Sequence, residues 1–225
     1  MFGLLRLLFR MPWWAYLVAS PLILASGIAF YFSDQEAESA KLIARHHAPP
    51  AAFAIEKFDP AHDVGRANEV VVVGQVDLAK AMELTETKNG AEIHHWTVAA
   101  MYPADAADTS APAIGAMVHD GVLTDQQLAS FVVGRGPFGP IMKIDGVQTT
   151  EFSAQEAVRK TVSGKVTMAP SALLVDPFEN GRKAGLAPSD SGKIAAGVIV
   201  GLALLSLAYG FFRRWQKRSS EDPYI

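Results

Sequence analysis

The chain has 225 residues, half of them hydrophobic, with 20 Lys and Arg against 23 Asp and Glu and a formal net charge of −3. It has no cysteine, which excludes disulfide scaffolds, thiolate zinc sites, cysteine-ligated iron–sulfur clusters and cysteine nucleophiles. Residues 33–192 carry a net charge of −8, which argues against nucleic acid as a partner, because nucleic-acid binding requires a basic face on the folded part.

Two uncharged segments of membrane-spanning length lie near the ends of the chain, at residues 13–32 and 194–212. A helix of about 20 residues crosses the hydrocarbon layer of a bilayer, and aromatic side chains at the segment ends suit the headgroup level. We therefore predict two transmembrane helices, with the lipid bilayer as a partner. A cleaved signal peptide is the alternative for the first segment, but the segment exceeds the usual apolar length of about 7–15 residues.

Basic residues flank both segments on the sides that face the chain ends. Arg6 and Arg10 precede the first segment, and four basic residues follow the second, namely Arg213, Arg214, Lys217 and Arg218. The positive-inside rule then places residues 1–12 and 213–225 in the cytoplasm and residues 33–193 outside it. In a bacterium this predicts a two-pass inner-membrane protein with a periplasmic domain, and in a mitochondrion the domain would face the intermembrane space.

The composition of the two segments favours helix packing over transport. Neither contains Asp, Glu, His, Lys or Arg, which argues against an ion pathway, a proton relay or haem bound within the bilayer. A GxxxG pair in the second segment lets another helix approach closely, either one from another protein or the first segment of this chain. The residues predicted to shape helix packing are Gly197, Gly201, Ala15, Ala19 and Pro21, with Gly27 as a further small residue of the first segment.

The first half of the intervening domain reads as a helix followed by strands. Ser33 with Glu36 fits a capping box and predicts a helix to about Arg45, and residues 49–68 read as an irregular connection. The valine run Val70–Val73 predicts a strand that is buried on both faces. Residues 82–87 and 92–101 flank Asn89-Gly90, a strong hairpin signal.

The second half alternates strands with two short helices. We predict a strand at 114–119, a hairpin of 141–144 with 147–150 around Asp145-Gly146, and a last strand at 165–175 broken by Pro170. Thr124 predicts a helix to about Val133, and a capping box at Ser153 predicts another to about Thr161. The expected class is α+β, with a mainly antiparallel domain of two or three helices between the two transmembrane helices.

The segment Gly134–Gly139 matches G-x-G-x-x-G literally. Dinucleotide binding requires a strand before this motif and a helix that opens within it, whereas a predicted helix precedes it here. Pro137 and Pro140 also oppose a helical continuation. We interpret the segment as a glycine-proline loop.

The six histidines give no clear metal signature. His94 and His95 are adjacent in a predicted strand, so their side chains should point to opposite faces. Asp59, His62 and His119 would form a site only if the fold brought them together with a further histidine. Because G-x-S-x-G, H-E-x-x-H and P-loop motifs are also absent, we predict no catalytic residue, no metal ligand and no cofactor.

The layout resembles the Surf-type assembly factors of cytochrome c oxidase, which have one span at each end and an α/β domain between them. The strand Glu69–Val76 (EVVVVGQV) is similar to the strand that opens their domain, and Met117–Gly121 is similar to a later strand that ends in Asp-Arg-Gly. The arginine of that motif is missing here. The family's Trp-containing motif after the first span and its His-Tyr-Ala segment before the second are also absent.

Three functions are weighed. The first is a non-catalytic accessory or assembly subunit of an inner-membrane complex, respiratory complexes among them, whose partners are integral membrane protein subunits; a Surf-type role is one form of it. The second is a membrane-tethered periplasmic enzyme with a dispersed site drawn from His62, Asp63, His94 and His119. The third, a sensor that signals through its spans, is disfavoured by the short predicted cytoplasmic segments. We predict the first.

Overall fold

The structure is a computed structural model that describes residues 11–88, 90–150, 152–162 and 166–221. Arg6, Arg10 and Asn89, which enter predictions above, lie outside these residues. The elements in chain order are α1 (Trp13–His46), β1 (Phe53–Ala54), β2 (Glu69–Val76), β3 (Met82–Lys88), β4 (Ala91–Tyr102), β5 (Ala113–Asp120), α2 (Asp125–Phe131), β6 (Val132–Arg135), β7 (Pro140–Gln148), α3 (Phe152–Val162), β8 (Met168–Pro177), α4 (Arg182–Gly185) and α5 (Ser191–Glu221). Contacts divide the chain into Ala40–Ala187 and a unit formed by its two ends.

Among the residues that the structure describes, α1 and α5 are the two helices long and apolar enough to span a membrane, and they are called the candidate spans. α1 does not end before Ser33 as the predicted capping box requires, but continues as one helix to His46. Residues 33–46 contain neither Pro nor Gly and are rich in Ala and Glu, so nothing interrupts the helix before Pro49 and Pro50.

The domain Ala40–Ala187 is built on a ring of five strands. β2 pairs with β4, β4 with β5, β5 with β8, β8 with β7, and β7 returns to β2. The order β7-β2-β4-β5 is that of a Greek key, in which the fourth strand returns to lie beside the first. The ring is partly open where β2 meets β4, because these two strands pair at only two positions, Gln75 opposite Tyr102 and Val76 opposite Met101. Five-stranded, partly open Greek-key barrels are the architecture of OB-folds.

Alternation along the strands separates the barrel interior from an outer face. The interior holds a fully buried set of aliphatic side chains, which includes Val70, Val72, Val76, Ala99, Met101, Met117, Met142, Ile144, Leu173 and Val175. Side chains one residue out of phase, such as Trp96 and Val98 on β4, pack outside the barrel against Ala154, Ala157 and Val158 of α3. Burial of this second set fixes α3 on the outer face.

The α+β class is confirmed. The sheet is mixed and not purely antiparallel, since β1 pairs parallel with β2 and β5 pairs parallel with β8, while the other strand pairs are antiparallel. The predicted hairpin at Asp145-Gly146 is wrong, because β7 runs straight through both residues and they pair with Val71 and Val70 of β2. Gly146 serves close packing instead of a turn: a Cβ there would lie 2.2 Å from the carbonyl oxygen of Asp176.

Other local predictions are confirmed, although some helices and strands begin or end at residues other than those predicted. β3 and β4 form the predicted hairpin, and Gly90 has the positive φ of +81° that such a turn requires. Thr124 caps α2 in a capping box with Gln127, although the helix stops at Phe131 and the next two valines begin β6. α3 starts at Phe152, one residue before the predicted cap. β8 passes through Pro170, which lies at a register shift where ladder hydrogen bonds are interrupted.

Candidate functional site

A cleft of about 590 Å³ lies on the outer side of the barrel. It is lined by the ends of β4, β5, β7 and β8, the start of α3, and the segment from β8 into α4. Its volume falls within the range of about 300–1,000 Å³ that is usual for small-molecule sites. Most of the charged side chains in it belong to two imidazole–carboxylate pairs.

The first pair joins His94 to Asp120. β4 and β5 place Trp96 opposite Asp120, so His94, two residues earlier on the same face, reaches the Asp120 carboxylate with Nδ1 at 2.6 Å. The His94 ring also stacks on Trp96, with centroids 5.5 Å apart. Because Nδ1–H donates to the carboxylate, neutral His94 carries its lone pair on Nε2. This Nε2 has no hydrogen-bond partner among the described residues.

The second pair joins His119 to Asp176 across the parallel β5 and β8. Nδ1 of His119 lies 2.8 Å from Asp176, and its Nε2 lies 3.5 Å from Glu179, while the residue is only 8% exposed. The hydrogen bond to Asp176 raises the pKa of His119, burial opposes this rise, and the charges of Asp176, Glu179 and Asp120 support it. Glu179 also accepts a hydrogen bond from Gln127 of α2, so the pair links three elements around the cleft.

The remaining histidine predictions have mixed outcomes. His94 and His95 do point to opposite faces. The ring of His95 contacts Thr85, Glu83 and Glu92, whereas the ring of His94 contacts the carboxylate of Asp120. The structure does not bring Asp59 and His62 to His119: His62 pairs with Asp59 at 2.8 Å, and neither lines the cleft that holds His119. Asp63 accepts from the backbone of Asp59. Among the described residues, no three His, Asp or Glu side chains are placed to hold a metal ion.

The carboxylates of the cleft are the residues that sequence reasoning missed. Asp176 comes from β8, 57 residues after His119, and meets it only because β5 and β8 are paired in parallel. Asp120 directly follows His119 at the end of β5, just beyond the predicted strand 114–119. The Asp-Gly pair at 120–121 was the available signal, but it does not reveal the partner strand.

The glycine-rich segment Gly134–Gly139 folds around one buried side chain. Gln75 of β2 accepts hydrogen bonds from the backbone N–H groups of Phe138 and Gly139 at 3.0 and 3.1 Å, and donates to the carbonyl of Ala106. The loop closes with a 2.8 Å hydrogen bond from Gly136 N–H to the Gly139 carbonyl. Three backbone N–H groups of the motif, those of Gly136, Phe138 and Gly139, are therefore already bound within the chain, which agrees with a structural loop.

The two candidate spans pack against each other along small residues. A Cβ added at Gly27 would lie 2.9 Å from Ile199, and one at Gly210 would lie 3.0 Å from both Tyr16 and Leu17. On α5 the buried residues are Gly192, Ala196, Ala203 and Gly210, and the last three are spaced seven residues apart. This spacing gives the seam of a helix pair, and small residues allow its close approach.

The predicted packing residues lie away from the centre of this seam. Gly197 is exposed and Gly201 is half-buried, and a Cβ on either would meet nothing within 4 Å. Gly201 and Gly210 are nine residues apart, about two and a half turns, so they lie on opposite sides of α5. On α1, Ala15 and Ala19 are half-buried and Pro21 is exposed. The GxxxG pair is therefore not used by α1 in this chain.

Comparison of the chain with protein families, with curated proteins and with solved structures gives no match. The Surf-type resemblance stays a prediction.

Proposed function

We propose that this chain is a non-catalytic accessory or assembly subunit of an inner-membrane protein complex, held by its two apolar helices. The observation that supports the proposal best is the glycine face of α5, where a Cβ added at Gly197 or Gly201 would meet nothing within 4 Å. Lipid gives no hydrophobic drive for helix association, so a glycine groove favours a second helix over acyl chains through close packing. The predicted partners are integral membrane protein subunits, those of respiratory complexes in the Surf-type form of the proposal.

Substitution of isoleucine at Gly197 and Gly201 together should abolish partner binding. Isoleucine fits there without a clash inside the chain, because the positions open outward, but it fills the groove that a partner helix would enter. We expect the membrane complex purified in mild detergent to lose its other subunits, as measured by mass spectrometry.

The matched control replaces Leu202 of the same helix with isoleucine. Its side chain is already bulky, is 56% exposed and lies about 100° around the helix from Gly201, so its replacement leaves the groove intact and the partners should be retained. Recovery of the unmodified chain as a lone monomer under gentle extraction contradicts the proposal. So does a double-glycine variant that keeps its partners.

The proposed topology is two-pass, with both chain ends in the cytoplasm and the domain in the periplasm. The basic residues around the two spans support it, because basic loops remain on the cytoplasmic side. Alkaline phosphatase, which is active only outside the cytoplasm, should be inactive when fused after Ile225. The same enzyme inserted in the loop 103–112, between β4 and β5, should be active. The reverse pattern would refute the orientation.

A membrane-tethered periplasmic enzyme is the second candidate. It is favoured by one observation, namely that His94 and His119, both proposed for a dispersed site, line the same cleft. An imidazole oriented by a carboxylate, as His94 is by Asp120, has the arrangement of a general base. Extraction as a monomer would favour this candidate over the first.

A further inference from the structure

The cleft presents hydrogen-bond acceptors to a ligand. The side chains of Asp120, Asp176 and Glu179 are 43%, 48% and 41% exposed, so each offers oxygen surface to solvent. A carboxylate accepts about four hydrogen bonds, more than the described contacts of Asp120 and Asp176 use. The lone pair on Nε2 of neutral His94 adds an acceptor that is independent of the carboxylates.

The charge of the cleft also favours a ligand that donates hydrogen bonds, because the lining attracts cations. Among the described residues that line it, Lys41 is the one permanent cation, against three carboxylates. The nearby guanidinium of Arg182 is bound to Glu69 instead. Protonation of the buried His119 adds at most one positive charge, so the lining stays net negative or close to neutral. A concave site of this charge concentrates cations.

We propose that this cleft binds a ligand that carries an ammonium or guanidinium group, whose N–H groups donate to Asp120, Asp176 and His94 Nε2. Such a group supplies donors and positive charge together, and charge-assisted hydrogen bonds to carboxylates are the stronger ones. The group belongs either to a small amine or to a Lys or Arg side chain of a partner. This binding does not depend on the role proposed for the helices.

Calorimetric titration of the full chain in detergent micelles with butylguanidinium tests the inference, with butylurea as an uncharged probe of the same shape. We expect saturable binding of butylguanidinium. Butylurea should bind at least about tenfold more weakly, because each charge-assisted contact contributes roughly a factor of ten to the affinity. Asp120→Asn and Asp176→Asn should each weaken butylguanidinium binding about tenfold. Asp108→Asn, which removes an exposed carboxylate that does not line the cleft, should leave the affinity unchanged.

Absence of saturable butylguanidinium binding, or equal affinity for the two probes, overturns the inference. Unchanged affinity in both cleft variants also overturns it. The comparison of the two probes uses the unmodified chain, so it decides the question even if a variant fails to fold. A small amine released from the purified chain on denaturation identifies a free ligand. Release of a partner from the native complex by butylguanidinium identifies a basic side chain.

Discussion

Replacing Arg182 with Met is expected to lower the free energy of unfolding of the domain by about 3–5 kcal/mol, because it leaves a buried carboxylate without its cation. The guanidinium contacts both carboxylate oxygens of Glu69, whose side chain is 2% exposed, and donates to the carbonyl of Ala44 at 2.6 Å. These contacts join the end of α1, the start of β2 and α4. Denaturant titration of the full chain in micelles, followed by circular dichroism, measures the loss.

A second carboxylate, Asp145, makes the loss of Arg182 more costly. Burial and the charge of Glu69 together raise the pKa of Asp145 to about 6, against the opposing charges of Arg182 and Lys143. Its Oδ1 is buried without a hydrogen-bond partner among the described residues. In the Arg182→Met variant the pKa of Asp145 should therefore rise above about 6, which an NMR titration of the side-chain carboxyl measures.

Two controls separate the ion pair from side-chain size. Lys183→Met changes the neighbouring, exposed cation and should alter stability by less than about 0.5 kcal/mol. Glu69→Leu combined with Arg182→Met removes both charges and should recover part of the stability that the single variant loses, since apolar replacement of a whole buried pair is often near neutral. A double variant less stable than Arg182→Met would show that the uncompensated charge is not the cause.

Local signals in the sequence predict the parts of this fold that depend on near neighbours. The hairpin around Gly90, the Thr124 cap and the buried valine strand all follow from a few adjacent residues, and the structure bears them out. Closure of the barrel depends instead on β2 meeting β7 and on β5 meeting β8, pairings between distant segments that no local pattern encodes. This is why the local signal of Asp145-Gly146 predicts a turn, although both residues lie in the middle of β7.

The cleft was predictable to the same limited extent. Adjacency in a strand predicts that His94 and His95 diverge, and it identifies neither Asp120 nor Asp176 as a partner. The histidine pairs exist because the register sets β4 beside β5 and β5 beside β8. In the two candidate spans, a one-residue difference decides the packing: Gly197 is exposed while Ala196 is buried. Which face of α5 is buried depends on the helix that packs against it, and the GxxxG motif does not identify that helix.

Replacing Gly139 with Ala is expected to cost about 1–3 kcal/mol or more in unfolding free energy, because the new methyl group has no room. A Cβ at Gly139 would lie 2.2 Å from the carbonyl oxygen of Val76, a backbone atom fixed in the barrel. Gly136→Ala should also destabilise, since its Cβ would lie 2.1 Å from Oε1 of Gln75. Denaturant titration of the full chain in micelles measures both losses.

Gly134→Ala is the matched control, because it lies in the same motif with a different environment. Its Cβ would lie 3.6 Å from Ile141, an ordinary contact, and reduced freedom of the unfolded chain favours alanine slightly. We therefore expect Gly134→Ala to be neutral or mildly stabilising while Gly139→Ala unfolds at lower denaturant. Equal tolerance of alanine at both positions would contradict the packing reason for this motif, because only a close backbone approach distinguishes its third glycine from its first.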